Sequence, residues 1–261
     1  MTESNELKLG SLFDGSGGFP LGGIINGIKP VWSSEIEKYP MSVTEKRMPW
    51  VKQLGDVTKI DGAKIEPVHI VTFGSPCQDL SVAGKRAGIF EGERSNLFFQ
   101  AIRIIKEMRD ENQRNRGADK FDGNIGRWAV WENVPGALSS NKGGDFRCVL
   151  QAFCDLGNQG ITVPEPPKGK WSNAGSIVGD GFSVAWRVID LQYFGTPTKA
   201  APQRRRRIYL ICDLGGECAG EVLLEREGLQ WDSAESQRAW EDFTGITLER
   251  FEGSCRKRGW L

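Results

Sequence analysis

The stretch Leu7-Lys-Leu-Gly-Ser-Leu-Phe13-Asp14-Gly15-Ser16-Gly17-Gly18-Phe19 decides how the rest of the chain is read. Leu7 to Phe13 is an apolar run that reads as a strand. It ends in a glycine-rich turn, and a short helix is expected over about 17–27. Glycines at such a turn let the backbone bend tightly and approach a nucleotide-like ligand closely. A lone turn of this kind also serves merely to link two elements, so its meaning depends on the neighbouring segments.

Outward from that turn, apolar runs alternate with helical spacing. Val31-Trp-Ser-Ser34 reads as a second strand and ends at Glu35, 20 residues after Gly15. A carboxylate at that spacing can accept hydrogen bonds from ribose hydroxyls. A helix is expected over 37–47. Asp56, in Leu54-Gly-Asp-Val-Thr58, is either a contact for an adenine amino group or a solvated turn aspartate. His69-Ile-Val-Thr-Phe73 reads as a buried strand that stops at Gly74-Ser-Pro76. Leu97, Phe98, Ala101, Ile102, Ile105 and Met108 have helical spacing, with Ser95 as N-cap. Trp128-Ala-Val-Trp131 is a further strand, 146–156 a helix, and 182–191 and 207–212 late strands. This alternation predicts an α/β fold with a mostly parallel sheet covered by helices on both faces. Ligands of such sheets sit at the carboxyl ends of the strands. One domain is expected over 1–215, with an exposed Gly/Pro-rich loop insertion at 160–181 and a short charged tail at 216–261. Lys168, Lys170 and Trp171 fall in that loop; they either touch DNA or belong to an exposed loop with no role, and the second reading is preferred.

Three more segments carry chemistry. Gly74-Ser-Pro76-Cys77-Gln78-Asp-Leu-Ser81 places a cysteine directly after a strand, where a nearby helix N-terminus or cation would favour its thiolate. The following stretch holds Gly84, Gly88 and Gly92 together with Lys85, Arg86 and Arg94, a composition suited to closing over a phosphate backbone. Glu132, in Trp131-Glu-Asn-Val-Pro135, ends an apolar strand where a buried carboxylate needs a partner; it either donates a proton to a ring nitrogen of a base or is a strand-end carboxylate paired with an arginine. In Gln203-Arg-Arg-Arg-Arg207-Ile-Tyr-Leu-Ile, alternation puts Arg205 and Arg207 on one side of a strand and Arg204 and Arg206 on the other.

In order and spacing these four signals resemble the cytosine-C5 DNA methyltransferases. Phe13-Asp-Gly-Ser-Gly-Gly18 resembles F-x-G-x-G-G, Pro76-Cys77-Gln78 with Ser81 resembles P-C-Q-x-x-S, Glu132-Asn133-Val134 resembles E-N-V, and Gln203, Arg205 and Arg207 resemble Q-x-R-x-R. The resemblance covers about 7–213. It implies a Rossmann-like S-adenosylmethionine-dependent methyltransferase fold and double-stranded DNA as partner. It implies Cys77 as nucleophile, Glu132 at N3 and the amino group of the target cytosine, Arg207 at its O2, and Arg205 in support. It implies further that Phe13, Gly15, Gly17, Gly18, Glu35, Ile36, Asp56, Val57 and Pro76 line the cofactor site. Gln78, Ser81, Lys85 and Arg86 would meet DNA, Ser81 beside the flipped base. The family's target-recognition region and its later segments, R-L-x-x-x-E-x-x-R-L-Q-G-F-P-like and G-N-S-like, have no counterpart after Cys212. A truncated gene product, one half of a split enzyme and a fragment of a longer reading frame all fit this, and full activity is expected to need a second polypeptide. Two other readings stay open: a methyltransferase acting on cytosine in RNA, and an inactive protein that only holds cofactor or DNA.

Bulk properties exclude other classes. The 34 basic and 34 acidic residues balance, so any phosphate binding must come from local clusters. No apolar run suits a membrane span, and Met1-Thr-Glu-Ser-Asn-Glu6 lacks secretory character, so a cytoplasmic enzyme is expected. The 6 cysteines and single histidine lack metal-ligand spacing, which argues against a metal site; free thiols are expected throughout.

Overall fold

The computed structural model describes residues 6–75, 97–116, 122–157, 160–193 and 203–224. The chain divides into two compact units, Met1–Trp131 and Glu132–Leu261.

Strands β1 (Lys8–Leu12), β2 (Lys29–Ser34), β3 (Lys52–Gln53), β4 (Ile70–Phe73) and β5 (Trp128–Asn133) run in the order β3-β2-β1-β4-β5, the first unit ending at Trp131 within β5, so that Glu132 and Asn133 belong to the second. Every pairing among them is parallel. Helices α1 (Gly18–Ile25) and α2 (Lys38–Arg47) provide the early crossovers, and α3 (Leu97–Arg114) precedes β5. Strand β1 lies between β2 and β4, so successive connections leave it in opposite directions. The crevice of an open α/β sheet forms at that reversal, outside the carboxyl ends of the strands.

Packing explains the spacing of the apolar residues. Phe98, Ala101, Ile104, Ile105 and Met108 form the buried stripe of α3. Phe98 meets Phe73 at 6.0 Å and Trp131 at 6.1 Å between ring centroids. Trp32 is fully buried, and its indole N–H donates to the Glu66 carbonyl at 2.8 Å. Its ring occupies the place of a side chain at Gly10, where a Cβ would sit 2.1 Å from the indole. His69 is structural: its Nδ1 accepts the Lys8 amide at 2.8 Å, and its Nε2 lies 3.0 Å from Asp122.

The second unit is antiparallel. Strands β6 (Ala174–Gly179), β7 (Phe182–Asp190) and β8 (Arg206–Asp213) form a meander. The mostly parallel expectation therefore holds for the first unit and not for this one. Strand β6 also corrects the reading of 160–181 as a loop. Gly179 pairs with Phe182 across Asp180-Gly181, where Gly181 has φ 74°; an Asp-Gly pair with positive φ suits a two-residue hairpin turn. Helix α4 (Gly144–Gly157) contributes Phe146 to an aromatic cluster with Trp171 and Trp186, all three centroid pairs between 5.6 and 5.9 Å apart. The short helix α5 (Ala219–Leu223) packs with Ala185, Tyr209 and Ile211.

Among the described residues Cys148, Cys154 and Cys212 are free thiols. Among the described residues no group of His, Cys, Asp or Glu could hold a metal ion, and no helix is long and apolar enough to cross a membrane.

Candidate functional site

The glycine turn after β1 is held by a carboxylate from the end of β2. Gly15 N–H donates to Glu35 Oε2 at 2.8 Å, while Glu35 Oε1 accepts from the Ile36 and Glu37 amides at 2.7 and 3.0 Å. Phe13 and Gly15 both have positive φ, at 55° and 56°. For Phe13 this is a strained conformation that its surroundings must impose. The glycines differ in purpose. A Cβ on Gly15 or Gly18 would meet nothing within 4 Å, so open space lies over the turn at both positions. A Cβ on Gly17 would stand 2.5 Å from Met48 and 3.3 Å from Thr44, so Gly17 lets the turn seat against α2. The open space, together with the partly exposed Glu35 and the 66 % exposed Ile36, fits a ligand with hydroxyl donors and an apolar ring.

Asp14 was not anticipated as part of this site. It is buried beneath the turn, where Oδ1 accepts from Ser11 Oγ at 2.6 Å and Oδ2 has no hydrogen-bond partner. Its main chain ties the turn together, donating to Ser34 O and accepting from Gly17 N. Burial, reinforced by the charge of Glu35 and opposed by the Ser11 hydrogen bond, pushes its carboxyl up to about 6. The only sequence signal was an acidic residue wedged between an apolar strand and a glycine.

Asp56 and Val57 are engaged within the protein itself. Asp56 caps the turn Val57–Lys59 by accepting from Thr58 N at 2.9 Å and Thr58 Oγ1 at 2.7 Å. Those hydrogen bonds hold its carboxyl below the usual range. Val57 is buried, and its carbonyl accepts from Arg103. The solvated-turn alternative for Asp56 matches this geometry.

The end of β4 is fixed by Ser75, whose Oγ accepts from the Trp131 indole N–H at 3.0 Å. Pro76, Cys77, Gln78, Ser81, Lys85 and Arg86 lie outside the described residues, as does Ser95.

In the second unit the structure brings Glu132 and Arg207 together. Glu132 stands at the end of β5 and Arg207 near the start of β8, with Arg207 Nε 2.9 Å from Glu132 Oε1. The two side chains are 22 and 26 % exposed, so the pair is partly shielded and open on one side. Asn133 is buried, its Oδ1 accepting the Val134 amide at 2.8 Å, which shapes the turn after Glu132. Arg205 is exposed, and its amide donates to Asp190 Oδ1 at 3.1 Å. Tyr209, two residues beyond Arg207 on the same face, was not anticipated either. Burial and the charge of Glu132 raise its hydroxyl, opposed by Arg205 and Arg207. An apolar strand leading out of four arginines hides this tyrosine among ordinary strand residues.

Comparisons place these features among known proteins. The model of the family described as "C-5 cytosine-specific DNA methylase" matches residues 7–162. A protein of Escherichia phage P1, named DNA N-6-adenine-methyltransferase, is 31 % identical over 242 residues, which are 84 % of this chain and 30 % of that protein. The Type II methyltransferase M.BsuFI of Bacillus subtilis is 32 % identical over 206 residues, 79 % of this chain and 39 % of the relative. The chain thus spans about a third of the length of these relatives. A crystal structure of a prophage-encoded putative DNA modification methyltransferase of E. coli shares the fold, with a TM-score of 0.51 and 17 % identity over 80 % of this chain and 47 % of that one.

Proposed function

Because this chain belongs to the C-5 cytosine-specific DNA methylase family, we propose that it methylates C5 of a cytosine flipped out of double-stranded DNA, with S-adenosylmethionine as methyl donor. The observation that carries the reading is the Glu132–Arg207 pair at the end of β5. A carboxyl and a guanidinium held side by side suit the N3–C2=O edge of a pyrimidine, one group at N3 and the other at O2. A cytosine inside a duplex is out of reach of such a pair, and flipping it costs a few kcal/mol.

The chemistry assigns one role to each residue. Cytosine C5 is a weak nucleophile. Attack of the Cys77 thiolate forms a C6–S bond and moves an electron pair toward C5. Glu132 gives N3 a proton as the charge develops, and Arg207 holds O2. Arg205 supports the base pocket. Once C5 carries the methyl group, its proton is lost to a base, the C6–S bond breaks and the thiolate leaves. When bound, S-adenosylmethionine supplies the electrophilic methyl group. The Phe13–Gly18 turn would hold it, with Glu35 at the ribose hydroxyls and Ile36 against the adenine. Gly17 would act by seating the turn, and Asp56, Val57 and Pro76 by shaping the pocket wall. Gln78, Ser81, Lys85 and Arg86 would contact DNA beside the flipped base.

The phage P1 relative bears the name of an adenine methyltransferase, but the chain spans only 30 % of it. The N6 amine of adenine is itself nucleophilic and needs no thiol adduct, so Cys77 beside Pro76 and Gln78 favours cytosine. Restriction-modification in the bacterial cytoplasm is the proposed setting. The test is to methylate unmodified duplex DNA and transfer RNA with the purified chain, then digest to nucleosides and identify the product by mass. The reading predicts 5-methylcytosine from DNA. N6-methyladenine, or methylation of RNA alone, would overturn it.

A further inference from the structure

Ten residues beyond Glu132 the second unit carries a cationic ridge that the methylation chemistry does not use. Asn141, Lys142 and Gly143 adopt left-handed backbone in succession, with φ of 49°, 54° and 80°. Lys168 does the same, at φ 55°. Lysine rarely takes this conformation, and each such residue costs about 1–3 kcal/mol unless its surroundings over-determine it. Here they do. The Trp171 indole N–H donates to Gly143 O at 2.9 Å, and the Trp171 amide donates to Leu138 O at 3.1 Å. A Cβ on Gly143 would lie 2.4 Å from Pro166, and one on Gly169 would lie 3.4 Å from Lys142 Cβ. The backbone of Lys142 therefore lies beside Gly169, next to Lys168 and Lys170, and Trp171 ties the two turns together.

Charge on this ridge is one-sided. Lys142, Lys168 and Lys170 are all exposed. Of the nearby acids, Asp145 is 1 % exposed and hydrogen-bonded to Ser140, so it faces inward at the start of α4. Glu165 is already paired with Arg147 at 2.6 Å.

We propose that Lys142, Lys168 and Lys170 form a phosphate-binding ridge that grips the DNA backbone. The proposal rests on the reading of duplex DNA as substrate. The three ammonium groups carry no base readout; they fix register and orientation on the helix. The packed turns hold the backbone that carries them, so that little loop order is lost on binding.

The test measures duplex affinity of the purified chain as a function of salt, for the native protein and for Lys142→Asn/Lys168→Asn/Lys170→Gln. Asparagine tolerates the left-handed region better than lysine, so the fold is kept; undiminished affinity for S-adenosylmethionine checks this. The slope of log K against log salt should flatten by about 0.9 for each phosphate no longer neutralised, roughly 2–3 in all. A Lys142→Arg/Lys168→Arg/Lys170→Arg variant should retain the native slope. An unchanged slope in the neutral variant overturns the ridge and leaves the methylation reading standing. Absence of duplex binding by the native chain overturns both.

Discussion

Arg207 Nε lies 2.9 Å from Glu132 Oε1, joining the start of β8 to the end of β5 within one compact unit. Glu132 was expected to need a partner as a strand-end carboxylate, and that partner is the last arginine of the 204–207 run. If the pair grips the pyrimidine edge as a unit, Glu132→Gln and Arg207→Ala should each lower kcat by about 10²–10³. The double variant should be little worse than either single one, because residues acting as a unit are not additive. Steady-state kinetics on duplex DNA check this, and strictly multiplicative losses would argue for independent roles.

Glu35 holds three backbone amides around the glycine turn. Glu35→Gln removes the negative charge while keeping the shape. Charge-assisted hydrogen bonds contribute about 1.5–3 kcal/mol, so affinity for S-adenosylmethionine should fall roughly ten- to hundredfold. Calorimetric titration measures it. Unchanged affinity would remove Glu35 from the cofactor site.

Asp14 makes stability depend on pH. Its carboxyl is raised from 3.8 to about 6, so the native state binds the proton more tightly than the unfolded chain does. The contribution of Asp14 to stability is then greatest below about pH 4 and is lost as pH rises through about 6. A shift of this size corresponds to about 3 kcal/mol at most. Asp14→Asn should abolish that loss and be more stable than the native protein at pH 7, with the advantage shrinking toward pH 4. Urea unfolding of the ligand-free protein across that range is the measurement. A difference that does not vary with pH would contradict it.

Gly10→Ala should destabilise the first unit by about 1–3 kcal/mol, as overpacking does, because the new methyl group would meet the Trp32 indole. Gly15→Ala meets open space and carries only the backbone cost of φ 56°. Its larger effect should be on cofactor affinity. Unfolding midpoints set beside ligand titrations separate the two.

The parallel half of the fold was legible because its signals are local. Apolar runs stop at Phe13, Glu35, Gly74 and Glu132, and the stripe from Phe98 to Met108 has helical period. The antiparallel half was less so. Strand β6 carries two glycines and is only partly buried, which made it look like loop, although Asp180-Gly181 was a hairpin signal within it. Asp14 escaped because its burial arises from contacts between distant residues, whereas Lys168 and Lys170 were already candidates for DNA contact and only Lys142 was not. Lys142 faces Gly169 only after the chain has folded.

The proposed reaction turns on attack of Cys77 at C6 of a flipped cytosine. The most direct measurement mixes the chain with tritiated S-adenosylmethionine and duplex DNA carrying 5-fluorocytosine, in which fluorine at C5 blocks the final elimination. A labelled protein–DNA adduct that survives denaturation and disappears in Cys77→Ala is the predicted result. A folded, cofactor-binding chain that forms no adduct, or one whose adduct persists in Cys77→Ala, would contradict it.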